Sequence, residues 1–448
     1  MTMSPVQASV LLDSLASRLP KGRLVTGVEV ERYEVDGLRP AAVALPESVE
    51  EVSAVLAAAC GQRAAVAPWG GGTAMALGNL PRTYDLALVT RSLNRILEYE
   101  PADLTLTVQA GITMAALASE LKRHGQFLPL DAPEEATLGG VLSTGAFGPR
   151  RHAYGPVRDW VLGVHVVHAD GRATKSGGRV VKNVAGYDMT KLYLGSLGTL
   201  GVIVEASLKV TPLPAVEETW AAACPSSVET VRLALDADSR GLRLGALTVA
   251  GPLGPDGPLA ETRLDSRGYA VLAQAVGSRA AVERSLRDLD ALASDHGFTG
   301  GGVRLGGDSK VWEALRALAR PVLSDNVLLV RALLSPRRVL PWLERTAALA
   351  AKTGLAPALA AHVGTGCVFT RWQGPGLGGE RGRGLLAALS ESALTLGGAA
   401  VVEGCAIELK HHVDVWGRPR ADFALMRRLK EQFDPHGTLN PGRFLGRL

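Results

Sequence analysis

Cysteine is scarce and scattered: Cys60, Cys224, Cys367 and Cys405 are the only four among 448 residues, and no two form C-x-x-C. That spacing excludes an iron–sulfur cluster held by this chain alone and gives no zinc-finger pattern. It predicts four free thiols in a reducing cytoplasm. Charge of one sign is also lacking, since the formal net charge is only +4 and no run of five or six basic residues occurs. Nucleic-acid binding therefore has no compositional support. Lysine is sparse: 10 of the 48 basic residues, leaving 38 arginines, a skew that reads as codon bias and says little about partners. No apolar run escapes interruption by Gly, Pro or His for long enough to span a bilayer. The opening MTMSPVQASVLLDSLASRLPKG lacks a basic stretch followed by an apolar core, so no secretory signal is expected.

What is present is an ordinary globular balance, 47% apolar against 21% charged, with length for two or three domains. The first 215 residues alternate helical and extended patterns. Ser48 and Glu51 mark a capping box before ESVEEVSAVLAAACG, and the strand-like RAAVAP runs straight into three glycines. DLALVT, LTLTVQAG, DWVLGVHVVHADG and GVIVEASLKVTPLP read as strands, and Met114, Leu117 and Leu121 share one helix face. The Pro212/Pro214 pair is a plausible boundary.

From about 216 the rhythm becomes β-α-β-β-α-β, the split ferredoxin-like order, with a looser second copy from NVLLVRALL to AAVVEG. Two such units side by side predict one broad antiparallel sheet covered by helices on one face. The expected division is residues 1–215, 216–400, and a segment 401–448 that ends in the helix ADFALMRRLKEQF and the turn DPHGTLNPGRF.

Residues 66–74, VAPWGGGTA, pose the functional question. Three successive glycines lose more conformational freedom on folding than any other residues would. A P-loop needs Gly-Lys-Ser/Thr at its end, and no lysine follows. A Rossmann fingerprint starting at Gly70 would close on Met75 where Gly or Ala is required, and Gly78 and Pro81 leave no room for its helix. What remains is a nest of backbone N–H groups able to hold an anion without side-chain charge, with Thr73 adding a hydroxyl. A glycine-rich surface turn is the plainer alternative for this stretch alone.

Three further segments accompany it: TLGGVLSTGAFG (137–148), KNVAGYDMTKLYLGSLGTLGVIV (182–204) and the C-terminal DPHGTLNPGR. In this order the four motifs resemble the FAD-binding domain of the vanillyl-alcohol oxidase/p-cresol methylhydroxylase superfamily. Within it, KNVAGYD, GSLGTLGVI, ELKHHVDVWG and LKEQFDPHGTLNPGRFLG are most similar to the E-type FAD-binding subunits of bacterial glycolate oxidases. The resemblance implies an α+β fold: a PCMH-type FAD-binding domain of two α/β lobes plus an antiparallel, ferredoxin-like cap. It implies that Trp69, Gly70, Gly71, Gly72 and Thr73 form the pyrophosphate turn. Thr137, Gly139, Gly140, Ser143, Thr144 and Gly148 would form a second phosphate and flavin-side wall. Gly201 and Ile203 would pass the cofactor with main chain, and Asn440 would be the polar residue of the N-P-G turn near it. A bulky residue at Gly71 is expected to abolish FAD retention by standing where the phosphate goes.

Some relatives that oxidise D-2-hydroxy acids hold a metal with H-x-G-D-G-N and a later E-H-G. Here His362-Val363-Gly364-Thr365-Gly366-Cys367 has Thr and Cys in place of Asp and Asn, and Glu408 to His412 is the nearest trace of the second motif. No metal is therefore expected, and no residue is assigned as catalytic; His362 and His411 are weak candidates. Tyr154, Tyr187 and Asp188 are candidates either for polar groups beside the flavin or for ties that hold a loop, and Arg443 is a candidate either to offset cofactor charge or to cap the C-terminal turn. No His, Cys or Tyr sits in an attachment motif, so the FAD is expected to be non-covalent. The resemblance implies a cytoplasmic glycolate oxidase subunit whose electrons leave through a second flavoprotein and an iron–sulfur subunit, with membrane contact only through a partner. Two alternatives stay open: a subunit that holds FAD as an electron relay without turning over substrate, and a stand-alone D-lactate or D-2-hydroxy-acid dehydrogenase.

Overall fold

The computed structural model describes residues 5–178, 187–224, 226–251, 268–298, 301–307 and 310–448. The first lobe is a four-stranded sheet of β1 (Leu24–Val25), β2 (Ala42–Ala44), β3 (Val66–Trp69) and β4 (Leu86–Val89), in the order β1-β2-β4-β3. Both β2 and β3 run parallel to β4. Every residue of β2 and β4 is buried, as a sheet covered on both faces requires. One cover is the helix Val49–Gly61, which buries Val52, Val55, Leu56 and Ala59. Its start follows the expected box with one change: Ser48 accepts the Glu51 amide at 3.1 Å, but the Glu51 carboxylate takes the amide of Glu47 rather than that of Ser48. The carboxyl end of β3 delivers the chain into the glycine turn.

The second lobe is a five-stranded antiparallel sheet, ordered β5-β6-β10-β8-β9, of β5 (Ile96–Glu100), β6 (Thr105–Gln109), β8 (Val161–Val167), β9 (Ala173–Gly177) and β10 (Val202–Lys209). A two-residue ribbon, β7 (Gln126–Phe127) with β11 (Thr211–Pro212), lies beside it. The helix Met114–Arg123 buries Met114, Leu117 and Leu121, the face its periodicity predicted. The glycine-rich stretch at 137 folds as a short helix, Leu138–Thr144. Thr137 caps it, accepting the Gly140 amide at 3.3 Å, and Gly145 ends it at φ +62°. Residues 182–186 of the KNVAGYD motif lie outside the described residues.

The rest of the chain builds an eight-stranded sheet: β12 (Val216–Cys224), β13 (Leu244–Gly251), β14 (Tyr269–Gly277), β15 (Val303–Arg304), β16 (Val327–Leu333), β17 (Ala358–His362), β18 (Cys367–Gln373) and β19 (Ala399–Gly404). Its order, β15-β12-β14-β13-β17-β18-β16-β19, is two ferredoxin-like halves, each ordered fourth-first-third-second, fused through the antiparallel β13–β17 pair. Helices Ser227–Ser239, Arg279–Asp295, Val339–Thr353 and Glu380–Thr395 pack on one face over a core containing Trp220, Trp342 and Trp372. The expected fold class, with its broad antiparallel sheet, is what forms. One helix was missed. Lys310–Leu318 lies on the opposite face, placing Val311, Trp312, Leu315 and Leu318 against Leu329 and Phe369. Those four residues stand at helical spacing, so the signal was in the sequence.

Candidate functional site

Between the two lobes and the underside of the cap sheet lies a cleft of about 1410 Å³, its open mouth included. The glycine turn forms one end. Among the described residues, the amides of Gly70, Gly71, Gly72 and Thr73 find no protein acceptor, so four donors sit along a cleft wall with nothing to bond. Buried or half-buried N–H groups are rarely left this way unless a ligand takes them. Ser143 also lines the cleft, whereas Thr144 returns its hydroxyl to the Gly140 carbonyl at 2.8 Å.

The glycines serve two different purposes. A Cβ on Gly71 would stand 2.2 Å from the Glu135 carbonyl oxygen, and one on Gly70 would stand 2.1 Å from Thr137 Oγ1. These two glycines let the turn pack against the 135–137 backbone, which corrects the expectation that a Gly71 side chain would point at the phosphate. Gly140 is the reverse case: a Cβ there meets only Thr137 Oγ1, at 3.3 Å, and otherwise stands in the cleft.

The C-terminal segment returns to brace the turn from behind. Arg443 Nη2 donates to the carbonyls of Met75 and Leu77, both at 2.6 Å, and Lys410 Nζ donates to the carbonyl of Ala76 and to Asp36 Oδ1, both at 2.7 Å. Three successive carbonyls are thus held by two buried cations against one carboxylate, leaving a surplus positive charge beneath the nest. Asn440 adopts φ +43° and donates Nδ2 to the carbonyl of Leu197, itself at φ +53°. Left-handed backbone is tolerable for Asn but strained for Leu, and such strain collects where a ligand is gripped. Asn440 Oδ1 and Arg443 Nε are buried without a partner among the described residues, and both residues line the cleft.

The opposite wall comes from the cap. On β16 the residues Leu328, Val330 and Ala332 face the helix-covered core, so Arg331 faces the cleft. Glu403 of β19 and Phe369 of β18 face it by the same alternation. Arg331 Nε donates to Glu403 Oε1 at 2.5 Å, and its two terminal nitrogens have no acceptor among the described residues. Burial acts to lower the Arg331 pKa, but the Glu403 carboxylate, which also accepts its hydrogen bond, outweighs it and holds the guanidinium above its usual value. Arg316 and Arg320, at the end of the Lys310–Leu318 helix, line the cleft and pair with Asp131 and Glu135. Burial raises the Asp131 pKa.

Most of the residues expected at a cofactor site line this cleft together: Trp69 to Thr73, Thr137, Gly139, Gly140, Ser143, Thr144, Gly201, Ile203 and Asn440. Gly148 does not; a Cβ there would strike Asp131 at 2.1 Å, so it clears room for that side chain. His362 is also off the cleft wall. It is 3% exposed, shares a 2.9 Å hydrogen bond with Thr248, and packs behind Phe147 and Phe369. Burial, then the charge of His152, lowers its pKa to about 3, so it stays neutral. His411 stands exposed on the short helix Ile407–His412, away from the cleft. Tyr154 packs against Phe127 and Trp160, Tyr187 is exposed, and Asp188 pairs with Lys191. Arg331 and Glu403 escaped the sequence reading, though a lone charge inside the apolar strands VLLVRALL and AAVVEG is a recognisable sign of a side chain facing a site.

Comparison with known proteins agrees with this geometry. Residues 40–177 match the model of an FAD binding domain, and residues 237–444 match the C-terminal domain of FAD linked oxidases. The chain is 31% identical to a D-2-hydroxyglutarate dehydrogenase of Xanthomonas citri pv. viticola over 96% of both chains. It is 29% identical to glycolate oxidase subunit GlcD of Bacillus subtilis, over 91% of this chain and 89% of that one. A 122-residue stretch, 27% of this chain and 35% of the other, is 44% identical to glycolate oxidase subunit GlcE of Escherichia coli. Among solved structures, p-cresol methylhydroxylase shares the fold at a TM-score of 0.77 and 14% identity, over 98% of this chain and 97% of that one.

The chain belongs to the FAD-linked oxidase family. It is an FAD-dependent oxidoreductase with the p-cresol methylhydroxylase-type fold, and FAD is its cofactor. The free amides of the nest, the orphaned Asn440 Oδ1 and the surplus charge under the turn are what a dinucleotide with a charged diphosphate would require. Among the described residues, no helix is long and apolar enough to cross a membrane.

Proposed function

We propose that this chain is the FAD-holding, substrate-oxidising subunit of a glycolate oxidase complex, acting on glycolate or a similarly short 2-hydroxy acid. Electrons would pass to a second flavoprotein and an iron–sulfur subunit. The reading rests on the Arg331–Glu403 pair, which faces the nucleotide nest across the same cleft. The stronger local likeness to GlcE favours an E-type place in such a complex. In this reading, residues 1–215 hold the cofactor and the cap runs from 216 to 404, because β19 carries its sheet past the expected boundary at 400; the remainder to 448 locks the cofactor turn from behind.

Bound FAD supplies a two-electron acceptor for the substrate's α-hydrogen. The chain supplies grip, orientation and a base. The amides of Gly70 to Thr73 hold the diphosphate, with the Thr137–Thr144 wall opposite and Gly201, Ile203 and Asn440 alongside. The terminal nitrogens of Arg331 hold the substrate carboxylate in a bidentate fork. Among the described residues, the carboxylates lining the cleft are Asp131 and Glu403. Asp131 is fully engaged, accepting the Arg150 amide at Oδ2 and facing Arg316 at Oδ1. Glu403 Oε2 meets no donor among the described residues and is the group that takes the hydroxyl proton.

The decisive experiment is to purify the chain alone, record its visible spectrum, and add glycolate and D-lactate without oxygen. Bleaching of the flavin band supports the proposal, and Arg331→Met should then raise KM at least tenfold. Flavin that stays oxidised until the partner subunits are added assigns the chain as a relay. Rapid turnover with an artificial acceptor and no response to partners marks a stand-alone dehydrogenase.

A further inference from the structure

The charge distribution along the cleft carries a specificity. At the nest, Arg443 and Lys410 face one carboxylate, Asp36, so a positive charge is left over for a diphosphate. The cap side differs. Its three cleft-lining arginines each meet a carboxylate: Arg331 with Glu403, Arg316 with Asp131, Arg320 with Glu135. Two of those acids are almost fully buried, with side chains 9% (Glu403) and 2% (Asp131) exposed, so solvent screens them weakly. One substrate carboxylate can use the two free nitrogens of Arg331. A second carboxylate on the same molecule would meet a wall whose cations are already neutralised and whose nearest buried charge, Glu403, is negative.

We propose that Glu403, besides any role in proton transfer, is a specificity-determining residue that restricts this cleft to 2-hydroxy acids carrying a single carboxylate. This rests on the oxidase reading above, and it separates the chain from its Xanthomonas relative, which is named for a dicarboxylic substrate. Like-charge juxtaposition in a desolvated site is a recognised means of rejecting a competitor. Removing the negative charge while keeping the shape would leave Arg331 uncompensated and ready for a second anion.

The test compares glycolate with D-2-hydroxyglutarate on the FAD-loaded wild-type protein and on Glu403→Gln. Wild type should favour glycolate in kcat/KM by at least tenfold. In Glu403→Gln both rates fall if the base is lost, but that loss is common to the two acids and cancels in their ratio. The ratio should move toward the dicarboxylate by tenfold or more. Binding provides a readout independent of turnover: the keto acids pyruvate and 2-oxoglutarate, which have no α-hydrogen on the carbon that is oxidised, are titrated against the flavin spectrum, and the affinity ratio should shift the same way. Should that variant fail to fold, Glu135→Gln, at a half-exposed rim acid, should shift both ratios in the same direction by about twofold. A wild-type preference for 2-hydroxyglutarate, or an unchanged ratio in the folded variants, overturns the inference. Flavin reduced by neither acid sinks the oxidase reading instead.

Discussion

Gly140→Val separates the cofactor's space from the protein's own packing. Gly140 stands in the first turn of the helix Leu138–Thr144, where, outside the helix's own backbone, an added Cβ meets among the described residues one atom within 4 Å, Thr137 Oγ1 at 3.3 Å, and otherwise enters the cleft. Without FAD the substitution is close to neutral: valine is slightly better than glycine in a helix, by a few tenths of a kcal/mol. With FAD, two methyl groups occupy space that the ligand needs. Overpacking in a closed site costs about 1–3 kcal/mol, and loss of one charge-assisted N–H bond would bring the total to about 3–5 kcal/mol. At roughly 1.4 kcal/mol per factor of ten, FAD affinity should fall by about a hundredfold to several thousandfold. Thermal stability should show the same effect. Saturating ligand at a hundred times Kd stabilises by about 2.7 kcal/mol, which is about 3 °C for a chain of this length, and the variant should lose that increment while its cofactor-free midpoint stays put. The assay is FAD fluorescence titration paired with thermal melts, with and without FAD. Gly71→Ala is the contrast: its Cβ would meet the Glu135 carbonyl, so the apo protein itself should lose stability. A Gly140→Val protein that binds FAD like wild type would show that this helix does not face the cofactor.

Two other predictions concern buried polar groups. Lys430 donates to Asp434 at 2.6 Å and to the carbonyls of Thr199 and Leu439, and Asp434 in turn accepts the Thr438 and Leu439 amides. Asp434→Asn leaves a buried ammonium uncompensated and should cost about 3–5 kcal/mol in denaturant unfolding, with the C-terminal turn released first. His362 has its pKa depressed from 6.5 to about 3 in the fold, so between those values the unfolded chain binds the extra proton. Its contribution to stability is complete above about pH 6.5 and drains away as pH falls toward 3. Between pH 7 and 5 the loss should be about 2 kcal/mol, and His362→Gln should flatten that part of the stability–pH curve. An equally steep curve in the variant would refute the buried-neutral assignment.

Much of the site is legible in the sequence because its chemistry is a matter of main chain. A diphosphate cradle needs glycines in a row, and Gly70, Gly71 and Gly72 announce themselves by type and position. The meaning of each was less legible. Gly71 and Gly140 look alike in sequence, yet one faces the Glu135 carbonyl and the other the cleft, and only the path of the neighbouring backbone distinguishes them. The histidines misled for the opposite reason: residue type suggests catalysis, but burial made His362 a packing group and exposure left His411 at the surface.

Local sequence determined the elements here: capped helices, alternating strands, and the two β-α-β-β-α-β orders whose connectivity leaves few ways to build a sheet. It also determined the cofactor class, because a motif made of backbone needs no partner from afar to be recognised. Which carboxylate meets which arginine was a tertiary decision. Arg331 and Glu403 lie 72 residues apart and Arg316 and Asp131 come from different sheets' territory, so their charges have meaning only once the cap closes over the lobes. Electrostatic selectivity depends on distances of a few ångströms and on exclusion of water, and neither exists until the chain has packed.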